Sequence, residues 1–154
     1  MKISLPHLNA KRGFTLIELL VVIGVLTILL AIVLIAINPA RQFAQANDTQ
    51  RRSDVNAILN AVHQYAADFK GQLPSGVPTT SAEVIGSGGT QADICDDVAP
   101  TYIAQVPIDP VSGSYTDCTT YDTGDYSIVA SGTGGRITVS TTSEVDSSTI
   151  SVTR

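Results

Sequence analysis

The chain has 154 residues, nine basic and fourteen acidic side chains, a formal net charge of −5 at neutral pH, and no Trp. An acidic chain without clustered Lys and Arg excludes a simple electrostatic grip on nucleic acid. Two Cys and two His, spread far apart, leave no zinc-like ligand spacing.

Residues 1–13 contain Lys2, Lys11 and Arg12, and an apolar run from Phe14 to Ile37 follows with Glu18 as its only ionisable side chain. As a helix that run is about 36 Å long, enough to cross a bilayer. An ordinary secretion signal has an apolar region of about 7–15 residues, so that reading is weak even though Ala44-Gln45-Ala46 offers a small-residue cleavage site. The basic start keeps residues 1–13 in the cytoplasm and sends the remainder outward. A carboxylate inside a spanning helix is costly and calls for a partner or a task. A plain signal anchor would have no reason to keep Glu18, and a lipoprotein would need a Cys at the end of the run.

The segment Lys11-Arg12-Gly13-Phe14-Thr15-Leu16-Ile17-Glu18-Leu19-Leu20-Val21-Val22 resembles the class III signal of bacterial type IV pilins and type II secretion pseudopilins. The resemblance implies that prepilin peptidase cuts between Gly13 and Phe14 and that Phe14 is then N-methylated. It also implies that Glu18 pairs with the terminal amine of a neighbouring subunit during assembly. Loss of residues 1–13 leaves six basic against fourteen acidic side chains, a formal −8 for the mature chain.

Pro39 interrupts the helical ladder, and such a helix is expected to continue with a kink. Residues 39–70 then turn amphipathic. Val55, Ile58, Leu59, Val62, Tyr65, Ala66 and Phe69 follow three-four spacing and predict a stripe facing a folded domain. Asp48, Arg51, Arg52 and Asp54 read as a solvated mixed-charge face, with specific subunit contacts as the alternative. Gly71 is a helix stop, and Leu73-Pro74 follows it.

From Gly71 to about Asp97 the chain is rich in Gly, Ser and Thr, which predicts a loop with one short helix around Ser81 to Ile85. Gly86-Ser87-Gly88-Gly89 lacks the lysine of a phosphate-binding loop. Beyond it, Tyr126–Ala130 and Arg136–Thr141 alternate around a Gly-rich connection and predict an antiparallel hairpin. Thr149 to Thr153 is either an edge strand or a frayed end. Cys95 and Cys118 fall on the exported side, where two cysteines are expected to join as a disulfide; two free thiols are the alternative.

Pro107-Ile108-Asp109-Pro110-Val111-Ser112-Gly113-Ser114-Tyr115 is similar to the turn that precedes the sheet in major pseudopilins. Many of those proteins carry calcium in a later loop, and by that resemblance Asp117, Asp122 and Asp125 are candidate ligands, although their spacing is no EF-hand. Solvated acidic loops are the alternative. No catalytic constellation is evident: His63 sits on the helix between Val62 and Gln64, and no Gly-x-Ser-x-Gly elbow occurs.

The expected architecture is therefore α+β, the type IV pilin fold, with a long N-terminal helix on a small antiparallel β-sheet. The first half of that helix is transmembrane and its second half amphipathic. Its parts are a leader at 1–13, a hydrophobic polymerisation helix at 14–38, an amphipathic continuation at 39–70 and a loop and sheet region at 71–154. The resemblance implies no enzyme activity. It implies a pilus or pilus-like filament subunit, first single-pass in the inner membrane with its C-terminal domain outside, then polymerised in a periplasmic or surface fibre. Its partners would be copies of itself, the prepilin peptidase and methyltransferase, an inner-membrane assembly platform and the lipid bilayer. A major pseudopilin and a monomeric membrane-anchored binding domain are the alternatives.

Overall fold

Helix α1 (Leu16–Ile37) is 22 residues long and buries none of its side chains in the computed structural model, which describes residues 13–132 and 135–154. Residues 1–12 of the leader, with Lys2, Lys11 and Arg12, lie outside the described residues, as do 133–134 in the expected hairpin connection. At 1.5 Å per residue α1 spans about 33 Å, matching a hydrocarbon layer of about 30 Å. Its apolar side chains point in all directions, so water has no favourable face to solvate.

The helix does not run on through Pro39. Asn38 takes a left-handed conformation at φ 43°, and a second helix, α2 (Pro39–Asp68), opens on the proline itself. The reason is local. Proline has no N–H to continue the ladder and its ring crowds the carbonyl four residues back, whereas at the first turn its fixed φ is favourable. Asn is among the few residues that tolerate the left-handed region.

The chain divides at this point, and Ala40–Arg154 forms the second unit. Its α2 buries Val55, Ile58, Leu59, Ala61 and Val62, while Tyr65 and Ala66 are half-buried and Phe69 is exposed. The helix closes through Lys70 at φ 56°, which lets the Gly71 amide donate to the Ala66 carbonyl five residues back. This is a Schellman-type end in which Lys70 holds the left-handed position usually given to glycine.

Five strands follow, β1 (Glu83–Gly86), β2 (Ser114–Asp117), β3 (Thr120–Ala130), β4 (Ile137–Thr142) and β5 (Thr149–Thr153), with a single-turn helix α3 (Cys95–Val98) between β1 and β2. They form one antiparallel sheet in the order β1-β3-β4-β5, with β2 also paired to β3. The expected hairpin is β3–β4, with Ile128 opposite Val139. Thr149–Thr153 is the edge strand, with Val152 opposite Val139.

The helix expected around Ser81 to Ile85 is instead strand β1. Glu83 pairs with Ile128 and Val84 with Ser127, and Ile85 is fully buried. β-branched Val84 and Ile85 suit a strand, and pairing with β3 decides the matter for so short a segment. Tyr126, Ile128, Ile137 and Val139 meet the buried α2 stripe to make the core. Along β3 the buried positions shift phase, from Tyr121 and Thr123 to Tyr126, Ile128 and Ala130. Gly124, at φ +85°, takes up that shift, and a Cβ there would stand 2.9 Å from the Gly113 nitrogen.

Candidate functional site

Two places in the described chain concentrate chemistry, and the first is the start of α1. Among the described residues Gly13 has no atom within 4 Å of the position a Cβ would occupy. Phe14 is 86% exposed. Thr15 then caps the helix. Its hydroxyl accepts from the Glu18 amide at 3.3 Å, while Glu18 Oε2 accepts from the Thr15 amide at 2.9 Å and from the Thr15 hydroxyl at 2.8 Å. The result is a reciprocal capping box that satisfies two otherwise orphaned donors at the helix N-terminus. The carboxylate also sits at the positive end of the helix dipole.

This local role of Glu18 is legible as Thr-x-x-Glu before an apolar run, a capping-box pattern distinct from the intermolecular partner that the family resemblance implies. The two roles are compatible in geometry, because Glu18 Oε1 takes no part in the capping bonds.

The second place lies within Ala40–Arg154, where α2 meets two loops. Asp48, Arg51 and Asp54 are buried, and only Arg52 of the four charged residues is exposed. The expectation of a solvated mixed-charge face is overturned here. Arg51, 6% exposed, donates to both carboxylate oxygens of Asp109, which is 1% exposed, and to Asp48 at 3.2 Å, with Glu144 3.5 Å away.

Each acid in this knot has further donors. Asp109 Oδ1 accepts from the amides of Val111 and Ser112 and from the Ser112 hydroxyl. Asp48 accepts from the Ser143 hydroxyl and from the amides of Glu144 and Val145. Thus one arginine and two carboxylates tie α2 to the 107–113 turn and to the 143–148 loop.

Burial alone would push the Asp109 carboxyl up, but the bonds from Arg51 and the turn amides outweigh it and hold it below the usual range. Asp48 follows the same logic, with Ser143, the two loop amides and Arg51 overcoming desolvation. Asp109 in turn holds the Arg51 guanidinium charged. Asp54 differs. Burial raises its carboxyl above the normal range despite bonds from Tyr126 at 2.8 Å and Gln50 at 3.4 Å, and the Asp109 charge adds to the rise.

The sequence signal that could have found this knot is phase. Ala44, Asp48 and Arg51 continue the Val55, Ile58 and Val62 stripe backwards at three-four spacing, so they face the same way as the core. The resemblance of Pro107–Tyr115 to a family turn pointed at Asp109 as a turn residue. Its partner 58 positions earlier was not visible from the turn.

Cys95, at the start of α3, and Cys118, in the turn between β2 and β3, are joined as a disulfide with Cα atoms 5.2 Å apart. The Tyr115 hydroxyl lies 3.8 and 3.7 Å from their two sulfurs. Asp117, Asp122 and Asp125 do not assemble around a common point. Asp117 caps its own turn through Thr119, Asp122 accepts from the Gly124 amide, and Asp125 binds the Thr141 hydroxyl and the Thr142 amide on β4. Among the described residues no three His, Cys, Asp or Glu side chains are grouped to hold a metal ion. His63 is half-buried on α2, with Nε2 making no hydrogen bond among the described residues.

Comparison with known families places residues 8–34 on the model of the prokaryotic N-terminal methylation motif. That stretch contains Gly13, Phe14, Thr15, Glu18 and most of α1. No curated protein and no solved structure matches the chain.

Proposed function

We propose that this chain, which carries the N-terminal methylation motif of pilin-like proteins, is a structural subunit of a type IV pilus or pilus-like filament. The observation that carries the reading is the junction of that motif with a 22-residue apolar helix that buries nothing within its own chain. A helix of that kind needs an apolar medium. The bilayer supplies it before assembly and neighbouring helices supply it in a fibre, each burying apolar surface at about 25 cal/mol per Å².

On this reading prepilin peptidase removes residues 1–13 and Phe14 becomes the methylated N-terminus. The open surroundings of Gly13 among the described residues support recognition by an external cleft. An inner-membrane platform then moves subunits, anchored by α1 with the sheet domain outside, into a fibre. Glu18, held in place by Thr15, offers its remaining oxygen to the Phe14 amine of a neighbour. Because Glu18 of one subunit meets a different group, the Phe14 amine, on the next, the contact runs head to tail and propagates.

A second reading is a major pseudopilin, favoured by the Pro107–Tyr115 turn, whose Asp109 is the central acceptor of the buried knot. The intact mass of the native protein, taken from membranes and from sheared surface material, tests both. A chain beginning at methylated Phe14 in the sheared fraction supports a pilus subunit, and the same species confined to the membrane supports the pseudopilin. A mass that retains residues 1–13, or begins after Ala46, overturns the reading.

A further inference from the structure

Phe43 is the most exposed large apolar side chain of the second unit, at 70%. Phe69, 47% exposed, at least stacks on Tyr65 with ring centroids 4.3 Å apart, whereas Phe43 has no ring partner among the described residues. A lone exposed apolar residue would need no explanation on a soluble helix. Its place in the chain makes it different. It stands four residues into α2, about 6 Å along the axis, and a single residue, Asn38, separates α2 from the end of α1.

The polar layer of a bilayer adds about 5–8 Å on each side of the hydrocarbon. A span ending at Ile37 therefore leaves Pro39, two residues on, within that layer, and the Phe43 side chain, which as a helical residue leans back towards the helix N-terminus, reaches towards it. Charge agrees with this. Arg41 is the only charged residue between Glu18 and Asp48, so the first turn of α2 brings a cation and no carboxylate to the lipid phosphates. Phe, with Trp and Leu, is a residue that a helix lying at the interface buries at this boundary.

We propose that Phe43 is a membrane-interface anchor of the unassembled subunit, seating the first turn of α2 in the headgroup layer of the bilayer that α1 crosses. The proposal rests on the membrane-anchored reading above and adds to it a defined depth for the base of the exported domain. A subunit leaving the bilayer must then withdraw this ring as well as α1.

The chain contains no Trp, so single-Trp variants report one position each. Full-length F43W, L26W and F69W are each reconstituted at low protein-to-lipid ratio in vesicles of phosphatidylethanolamine and phosphatidylglycerol. Emission is then followed with acrylamide in the water and with lipids brominated near the headgroup or near the bilayer centre. The expected result is quenching of L26W by the deep label and of F43W by the shallow label. F43W should also be shielded from acrylamide relative to F69W. If L26W is deep while F43W is as open to acrylamide as F69W, the proposal fails and the anchored reading stands. A ring shielded from water and lipid alike is covered by a second copy, which also overturns it. If L26W escapes the deep label, the anchored reading falls and the proposal with it.

Discussion

Glu18 and Asp109 are both carboxylates with more than one donor, yet they answer to different demands. Glu18 is exposed and closes a capping box that fixes one helix end, a local role whose loss would fray that end without abolishing a fibre. Glu18→Gln keeps the reciprocal bonds with Thr15 and removes the charge. We expect both Glu18→Gln and Glu18→Ala to be cleaved after Gly13 and both to lose filaments, scored by shearing and immunoblotting. Normal yield from Glu18→Gln would assign the residue to capping alone. Asp109 is buried against Arg51, and Asp109→Asn leaves that guanidinium without its main partner. A loss of about 3–5 kcal/mol in urea denaturation is expected. Replacing Arg51 and Asp109 together by Met and Leu should cost less, because no orphaned charge remains.

At the scale of elements, α2 shows how one helix serves two chemistries on a single stripe. Its later half packs Val55, Ile58, Leu59 and Val62 on the sheet, and its earlier half presents Asp48 and Arg51 to two loops. The apolar part was readable from three-four spacing. The charged part was read as surface because charge usually signals solvent, and the phase that contradicts this was outweighed by composition. Strand β1 was misread for a related reason, since four residues carry too little periodicity to outvote their Gly- and Ser-rich flanks. The disulfide ties α3 to the β2–β3 turn across a separation of 23 residues. Removing it with Cys95→Ser and Cys118→Ser together should lower stability by about 3 kcal/mol, read as an earlier urea midpoint. An unchanged midpoint would mean that the bridge adds nothing to a turn already closed by strand pairing.

For the whole molecule the buried acids set the pH dependence. Asp48 and Asp109 are held below their ordinary values, so their stabilisation is complete above about pH 4 and is lost as pH falls through the lowered folded values. Asp54 has the opposite sign. Its raised folded value makes its contribution greatest below about pH 4 and reduces it as pH rises through that value. The melting temperature should therefore peak in mildly acidic solution, dropping steeply on the acid side and gently towards neutrality. Asp54→Asn retains an acceptor for Tyr126 and should flatten the neutral side while leaving the acid drop in place. A wild-type curve without any acid drop below pH 4 would contradict the roles given to Asp48 and Asp109.

The methylation motif at residues 8–34 and the apolar helix that extends to Ile37 could be read from the chain alone, because both are linear features: a Gly-Phe junction, a length, an absence of charge and one exception at Glu18. The same holds for the apolar stripe of α2 and the β3–β4 hairpin, whose periodicities are local. The break at Asn38, the strand at Glu83–Gly86 and the knot of Asp48, Arg51 and Asp109 required the folded chain. A charge becomes a core residue only when a partner arrives with matching geometry, and here that partner is 58 residues away in sequence. Desolvation of Arg51 is offset by bonds that exist nowhere but in the tertiary structure.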